Sequence, residues 1–226
     1  MSECLAELKF LDISNSQQLM KMPKFFSMPK LLRVNLEGCT SFCNLHLSID
    51  AFHEFKFFRE LNFSGTRIKE LPSSFGSLAS LEILDLSKCS KFQKFPDIFA
   101  NMGHLRVLNL HKTGIKELPR SIGYLESLKY LNISYCLNFE KFPGIQGNMK
   151  CLKKLYLNKT AIKELPNSVG LLKAFEVLSL KGCSNLEKFL KIQRIMGALW
   201  CLHLSGTAIK ELPCLIGNLI RLEILV

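Results

Sequence analysis

No segment of this sequence is long and apolar enough to span a bilayer. The longest uncharged apolar region, Ile195 to Ile209, contains Ser205, Gly206 and Thr207 and falls short of the roughly 20 residues a transmembrane helix needs. The amino terminus carries Glu3, Glu7 and Lys9 where a secretory signal needs an apolar run, so a leader is not expected there. Low-complexity tracts are missing too. So are the phosphate-binding Gly-x-x-x-x-Gly-Lys loop, the Gly-x-Ser-x-Gly elbow and the His-Glu-x-x-His zinc motif. His46, His53, His104, His111 and His203 are scattered, and the carboxylates sit where a repeat puts them. No catalytic constellation is visible, so no enzyme activity, cofactor or metal is expected of this chain. Acidic residues are scarce, 19 against 30 Lys and Arg, for a net charge of +11. That excess hints at acidic partners. Yet Lys69, Lys116, Lys163 and Lys210 are each followed directly by a Glu, the pattern of a solvated mixed-charge face. No base-reading motif accompanies them, so no nucleic-acid partner is expected.

What the sequence does have is a repeat. Ile-Lys-Glu-Leu-Pro occurs at Ile68, Ile115, Ile162 and Ile209, always 47 residues apart. A period that long means one supersecondary unit stacked on copies of itself. The unit splits in two on the pattern Leu-x-x-Leu-x-Leu, whose first positions are Leu8, Leu31, Phe58, Leu81, Leu105, Leu128, Leu152, Phe175, Leu199 and Leu222. Most gaps are 23 or 24 residues; one gap of 27 places a three-residue insertion near Asp50–Lys56. Residues 1–226 are thus read as a single leucine-rich-repeat domain of about ten repeats.

In Leu81-Glu-Ile-Leu-Asp-Leu86 the two-residue strand period sends Leu84 and Leu86 inward and Ile83 and Asp85 outward. Stacking places such strands side by side in a parallel sheet. The return segments hold Leu-Pro or Phe-Pro, and proline suits irregular or 3-10 backbone better than a long helix. The fold expected is an α/β-type solenoid or horseshoe, with parallel strands on the concave side and irregular or 3-10 segments on the convex side.

Three residues after the last strand leucine, Cys39, Cys89, Cys136 and Cys183 alternate with Thr66, Thr113, Thr160 and Thr207. Each is read as a small donor to backbone carbonyls where the chain leaves the sheet. Cysteines two strands apart are roughly 10 Å from each other, beyond the ~7 Å limit for a disulfide. Cys4, Cys43, Cys151, Cys201 and Cys214 show no Cys-x-x-Cys spacing. Buried free thiols and an intracellular setting are expected, the cytoplasm or the nucleus. The sequons at Asn62, Asn132 and Asn158 arise from the repeat pattern itself and are read as chance matches.

Function should lie on the outward strand positions, which form two columns. One runs Arg33, Glu60, Ile83, Val107, Tyr130, Lys154, Val177, Cys201 and Ile224; the other runs Asn35, Asn62, Asp85, Asn109, Asn132, Tyr156, Ser179 and His203. An apolar stripe beside a polar one suits a protein contact surface. The plainer alternative is that β-branched residues simply favour strands. Candidate partner-binding residues are Ile83, Asp85, Val107, Asn109, Asn132, Lys154 and Val177. Tyr130, Tyr156, Trp200 and His203 join them, because aromatic side chains dominate hot spots.

The phrase Thr-x-Ile-x-Glu-Leu-Pro-x-Ser-Ile-Gly from Thr113, alternating with Cys89 to Ile98, resembles the repeat domain of plant intracellular disease-resistance receptors of the TIR, nucleotide-binding, leucine-rich-repeat class. Met22-Pro-Lys-Phe, Cys39-Thr-Ser-Phe and Leu45-His-Leu-Ser-Ile49 add to the resemblance. It implies a protein-recognition and autoinhibitory module with three protein partners: a pathogen effector, a guarded host protein, or the receptor's own nucleotide-binding domain. NAD cleavage and nucleotide turnover would belong to other domains. The alternative is a free-standing scaffold like the plant Ras-group repeat proteins, whose repeats are a more uniform 23 residues. Neither end carries a capping repeat, which predicts a fragment or truncated gene product that aggregates when produced alone.

Overall fold

The computed structural model describes residues 5–21, 28–43, 57–98, 102–145, 149–192 and 194–226. The insertion expected at Asp50–Lys56, the phrases at Met22 and Leu45, and Cys4, His46 and His53 lie outside the described residues. Ten short strands form one parallel sheet in sequence order. They are β1 (Phe10–Asp12), β2 (Arg33–Asn35), β3 (Glu60–Asn62), β4 (Ile83–Asp85), β5 (Val107–Asn109), β6 (Tyr130–Asn132), β7 (Lys154–Tyr156), β8 (Val177–Ser179), β9 (Cys201–His203) and β10 (Ile224–Leu225). The register joins Ile83 to Val107, Val107 to Tyr130 and Tyr130 to Lys154, which is the alignment the leucine spacing predicts.

Inside the coil the leucine ladders are fully buried: Leu84, Leu108, Leu131, Leu155 and Leu178, with Leu86, Leu110, Ile133, Leu157 and Leu180 beside them. Phenylalanines fill the wider part. Phe92 and Phe95 meet edge-on with ring centroids 6.3 Å apart, and Phe139 and Phe142 repeat the contact at 6.5 Å.

The convex wall explains the 47-residue period. Each Thr-type repeat has a five-residue 3-10 helix directly after its proline: Ser73–Ser77, Arg120–Tyr124, Asn167–Leu171 and Cys214–Asn218. The prolines enter at φ between −62° and −66°, which their rings already impose. Among the described residues the Cys-type return segments 90–98, 137–145 and 184–192 contain no helix. Glu70, Glu117 and Glu164 of the repeated phrase form short parallel bridges with Lys94, Lys141 and Lys188 of the following repeat. Successive pairs are then tied through serine: the backbone N–H of Ile98 donates to Ser121 Oγ (2.9 Å), and that of Ile145 to Ser168 Oγ (3.0 Å).

Threonine and cysteine couple the same pairs of repeats at the sheet's other edge. Leu110 O accepts from both Thr113 Oγ1 (2.9 Å) and Cys136 Sγ (3.0 Å), with Oγ1 and Sγ 3.1 Å apart. Leu157 O accepts in the same way from Thr160 (2.8 Å) and Cys183 (3.0 Å). Burial is the main reason the thiols of Cys89, Cys136 and Cys183 are pushed up in pKa, which keeps them protonated and inert.

Just before each Thr or Cys the chain turns sharply through left-handed backbone. Gly38, Gly65, Gly182 and Gly206 hold this position in some repeats, at φ of +70° to +73°. Asn15, Lys88, Lys112, Tyr135 and Lys159 hold it in others, at φ between 53° and 63°. A Cβ on Gly38 would stand 2.4 Å from Asn15 Oδ1, so that turn requires glycine.

Candidate protein-recognition surface

The outward strand positions do form two columns, but the structure gives them different work. In the second column, side-chain oxygens cap the strand ends. Asp85 Oδ1 accepts the N–H of Ser87 (2.7 Å), Asn109 that of His111 (3.2 Å) and Asn132 that of Ser134 (2.9 Å). Asn109 Nδ2 also donates to Asp85 Oδ2 (2.9 Å). Such Asx turns satisfy backbone donors that the short strands leave open. Asp85, Asn109 and Asn132 are therefore held by the scaffold.

The pattern breaks at β7. Tyr156 stands where an Asx residue would, and the N–H two residues on, that of Asn158, donates instead to Ser134 Oγ (3.2 Å). Asn158 Oδ1 caps the next strand, accepting from Lys181 N–H (3.0 Å) and Ser179 Oγ (2.6 Å). Tyr156 is thereby freed to face outward. Its ring lies 5.5 Å from that of Tyr130 at a 46° tilt, and Asn132 Nδ2 donates to the Tyr130 hydroxyl (3.2 Å). Both tyrosines are half-buried, Lys154, the register partner of Tyr130, is exposed, and His203 further along is half-buried. Burial, then the neighbouring Tyr130, raises the Tyr156 phenol above its usual pKa. It remains a neutral donor near pH 7.

Two expected contact residues are placed otherwise. Val177 faces the right way but is only 5% exposed, and its column neighbour Cys201 is buried as well. A short valine paired with Lys154 and Cys201, diagonal to Tyr156, is covered by its neighbours. Trp200 lies outside the strand columns. It sits one residue ahead of β9, in the row of Arg59, Glu82, Arg106 and Glu176, which carries ion pairs. Glu82 bridges Arg59 (3.0 Å) and Arg106 (3.2 Å), and Lys153 meets Glu176 at 2.7 Å. Ile83 and Val107 stand half-buried in the first column.

The structure adds a feature the site reading missed. Across β1 to β4 runs a groove of about 390 Å³, lined by Phe10, Arg33, Asn35, Glu60, Ile83 and Asp85 among others. Arg33 lies over the Phe10 ring at 5.5 Å and pairs with Glu60 at 3.1 Å. The available signal was the charged start of the first column, where Arg33 and Glu60 interrupt the apolar stripe. Among the described residues no three His, Cys, Asp or Glu side chains converge as metal ligands would, and no helix is long and apolar enough to cross a membrane.

Residues 99–192 match the family described as leucine-rich repeat region, and residues 80–102 match the leucine rich repeat. This chain is a leucine-rich-repeat domain. Its fold is shared with the leucine-rich repeat domain of the type III effector XopL (TM-score 0.60, 19% identity, 96% of this chain and 75% of that one). It is shared equally with internalin C2 from Listeria monocytogenes (TM-score 0.62, 19% identity, 96% and 79%). In sequence the domain is similar to disease resistance proteins of Arabidopsis thaliana. RPP2A is 31% identical over 95 residues, covering 42% of this chain and 7% of RPP2A. RPS4B is 31% identical over 105 residues, covering 39% and 9%. The matched region thus spans less than a tenth of either relative.

Proposed function

We propose that this leucine-rich-repeat domain is the recognition and autoinhibitory module of an intracellular plant immune receptor. In this reading its sheet face senses a pathogen effector or a guarded host protein, in the cytoplasm or nucleus. In the resting state the domain packs on the receptor's nucleotide-binding domain. The likeness to disease resistance proteins supports the class. The observation that carries the reading is the Tyr130–Tyr156 pair, where the capping pattern is given up and two aromatic rings face outward beside Lys154. Rigid aromatic side chains on a pre-formed sheet give contact area at low entropic cost.

Site-specific photocrosslinking tests this. With benzoylphenylalanine at Tyr156, the chain should crosslink to a discrete protein in extracts of infected leaves. With the same probe at Lys163 on the convex wall, that product should be missing. Equal crosslinking from both positions, or none from Tyr156, would contradict the reading.

A further inference from the structure

The left-handed turn at the end of each strand is occupied by glycine in four repeats, but in four consecutive central repeats it is held by Lys88, Lys112, Tyr135 and Lys159. Glycine adopts this backbone freely; a bulky side chain there is strained. The strain is held in place by the ladder. Lys88 N–H donates to His111 O (2.6 Å), Lys112 to Ser134 O (2.9 Å), Tyr135 to Asn158 O (2.6 Å) and Lys159 to Lys181 O (2.8 Å). Strain of this kind, over-determined by its surroundings, points to a role for the side chains themselves.

Those side chains form one ledge. The ammonium groups of Lys112 and Lys159 flank the Tyr135 ring, 5.4 and 5.1 Å from its centroid, and His111 meets it edge-on at 5.2 Å. All four strained residues are exposed, and Leu137, two residues beyond Tyr135, is 68% exposed. No carboxylate lies within ion-pairing distance of Lys88, Lys112 or Lys159 among the described residues. The acid nearest in sequence, Asp85, is already engaged by Ser87 and Asn109. The charge of Asp85 still reaches His111, but the ledge presents three lysines without an ion pair around an aromatic and aliphatic centre.

We infer that this ledge is a second docking surface, separate from the concave tyrosine patch, for an acidic extended protein segment with an apolar residue at its middle. Lys88 to Lys159 spans three strand spacings, about 14 Å, which an extended segment of roughly five residues matches. Carboxylates would meet the lysines, and the apolar residue would pack on Tyr135 and Leu137. Charge complementarity of this kind sets the encounter rate and the register of docking.

The test uses the full chain captured sparsely on a biosensor, with a heptapeptide of six glutamates around a central leucine as probe. Binding should weaken as salt is raised. The triple variant Lys88→Gly, Lys112→Gly, Lys159→Gly keeps the turn that Gly38 and Gly65 already make, and should bind the peptide at least tenfold more weakly. The charge-matched convex variant Lys116→Gln, Lys163→Gln, Lys210→Gln should stay within twofold of the parent. So should Tyr130→Ala with Tyr156→Ala, which separates this proposal from the concave-face reading. Unchanged binding by the glycine variant, an equal loss in the convex variant, or tighter binding of a single-stranded RNA of equal charge would overturn it.

Discussion

At Thr113 one hydroxyl does two things: it donates to Leu110 O and contacts the Cys136 thiol in a buried setting. Thr113→Val keeps the shape and leaves Leu110 O with the residue's own backbone N–H (3.2 Å) and the weaker sulfur donor, so a loss of about 0.5–1.5 kcal/mol in chemical denaturation is expected. His111 makes a different prediction. Burial first, then the charges of Lys112 and Lys88, hold its pKa below the ordinary 6.5. A histidine depressed in the folded state stabilises the fold fully above its unfolded pKa. That contribution is lost as pH falls from about 6.5 toward the folded value, because the unfolded chain takes up the proton first. His111→Gln should therefore lose less melting temperature than the parent between pH 7 and pH 5; an identical slope would rule the effect out. Much at this scale is not legible in the sequence. The Asn of the repeat pattern reads as a contact residue, yet Asn109 and Asn132 serve as strand caps, a role that depends on short strands with open N–H groups. Val177 reads as exposed and is buried, because side-chain cover depends on neighbours a repeat away. The strained positions are hidden in the same way, since a lysine carries no φ in its name; only its alignment with Gly38 and Gly65 hints at the turn.

The element that matters is the pair of repeats. A Thr-type repeat and the Cys-type repeat after it are joined on the convex side by the Glu117–Lys141 bridge and at the sheet edge by Thr113 and Cys136. The Ser121 hydroxyl then links one pair to the pair before it through Ile98 N–H. A double-mutant cycle of Thr113→Val and Cys136→Ala should show a coupling of about 0.5–3 kcal/mol, as contacting residues do. Thr113→Val with Cys89→Ala, which belong to different pairs, should be closer to additive. Strand register and the pairing of unlike repeats are legible in the 47-residue period, since both follow from spacing. The bridge and the Ser121 link are not, since they depend on how the return segments lie against one another.

For the whole molecule, stability is a sum over neighbours with no central core to compensate for a weak link. Leu131, fully buried in β6 between Leu108 and Leu155, is such a link, and Leu131→Ala should cost about 2–5 kcal/mol. The same rigidity holds the outward face in place. Along that face the scaffold keeps the polar column from Asn35 to Asn132 for itself and releases it at Tyr156, and the recognition proposed here is centred on β6 and β7. The most direct measurement is the affinity of the protein that crosslinks at position 156 for the Tyr130→Ala, Tyr156→Ala variant, with folding checked by circular dichroism. A drop of at least tenfold in a fully folded variant is the result expected. Unchanged affinity in the folded variant would contradict the placement of recognition on these two tyrosines.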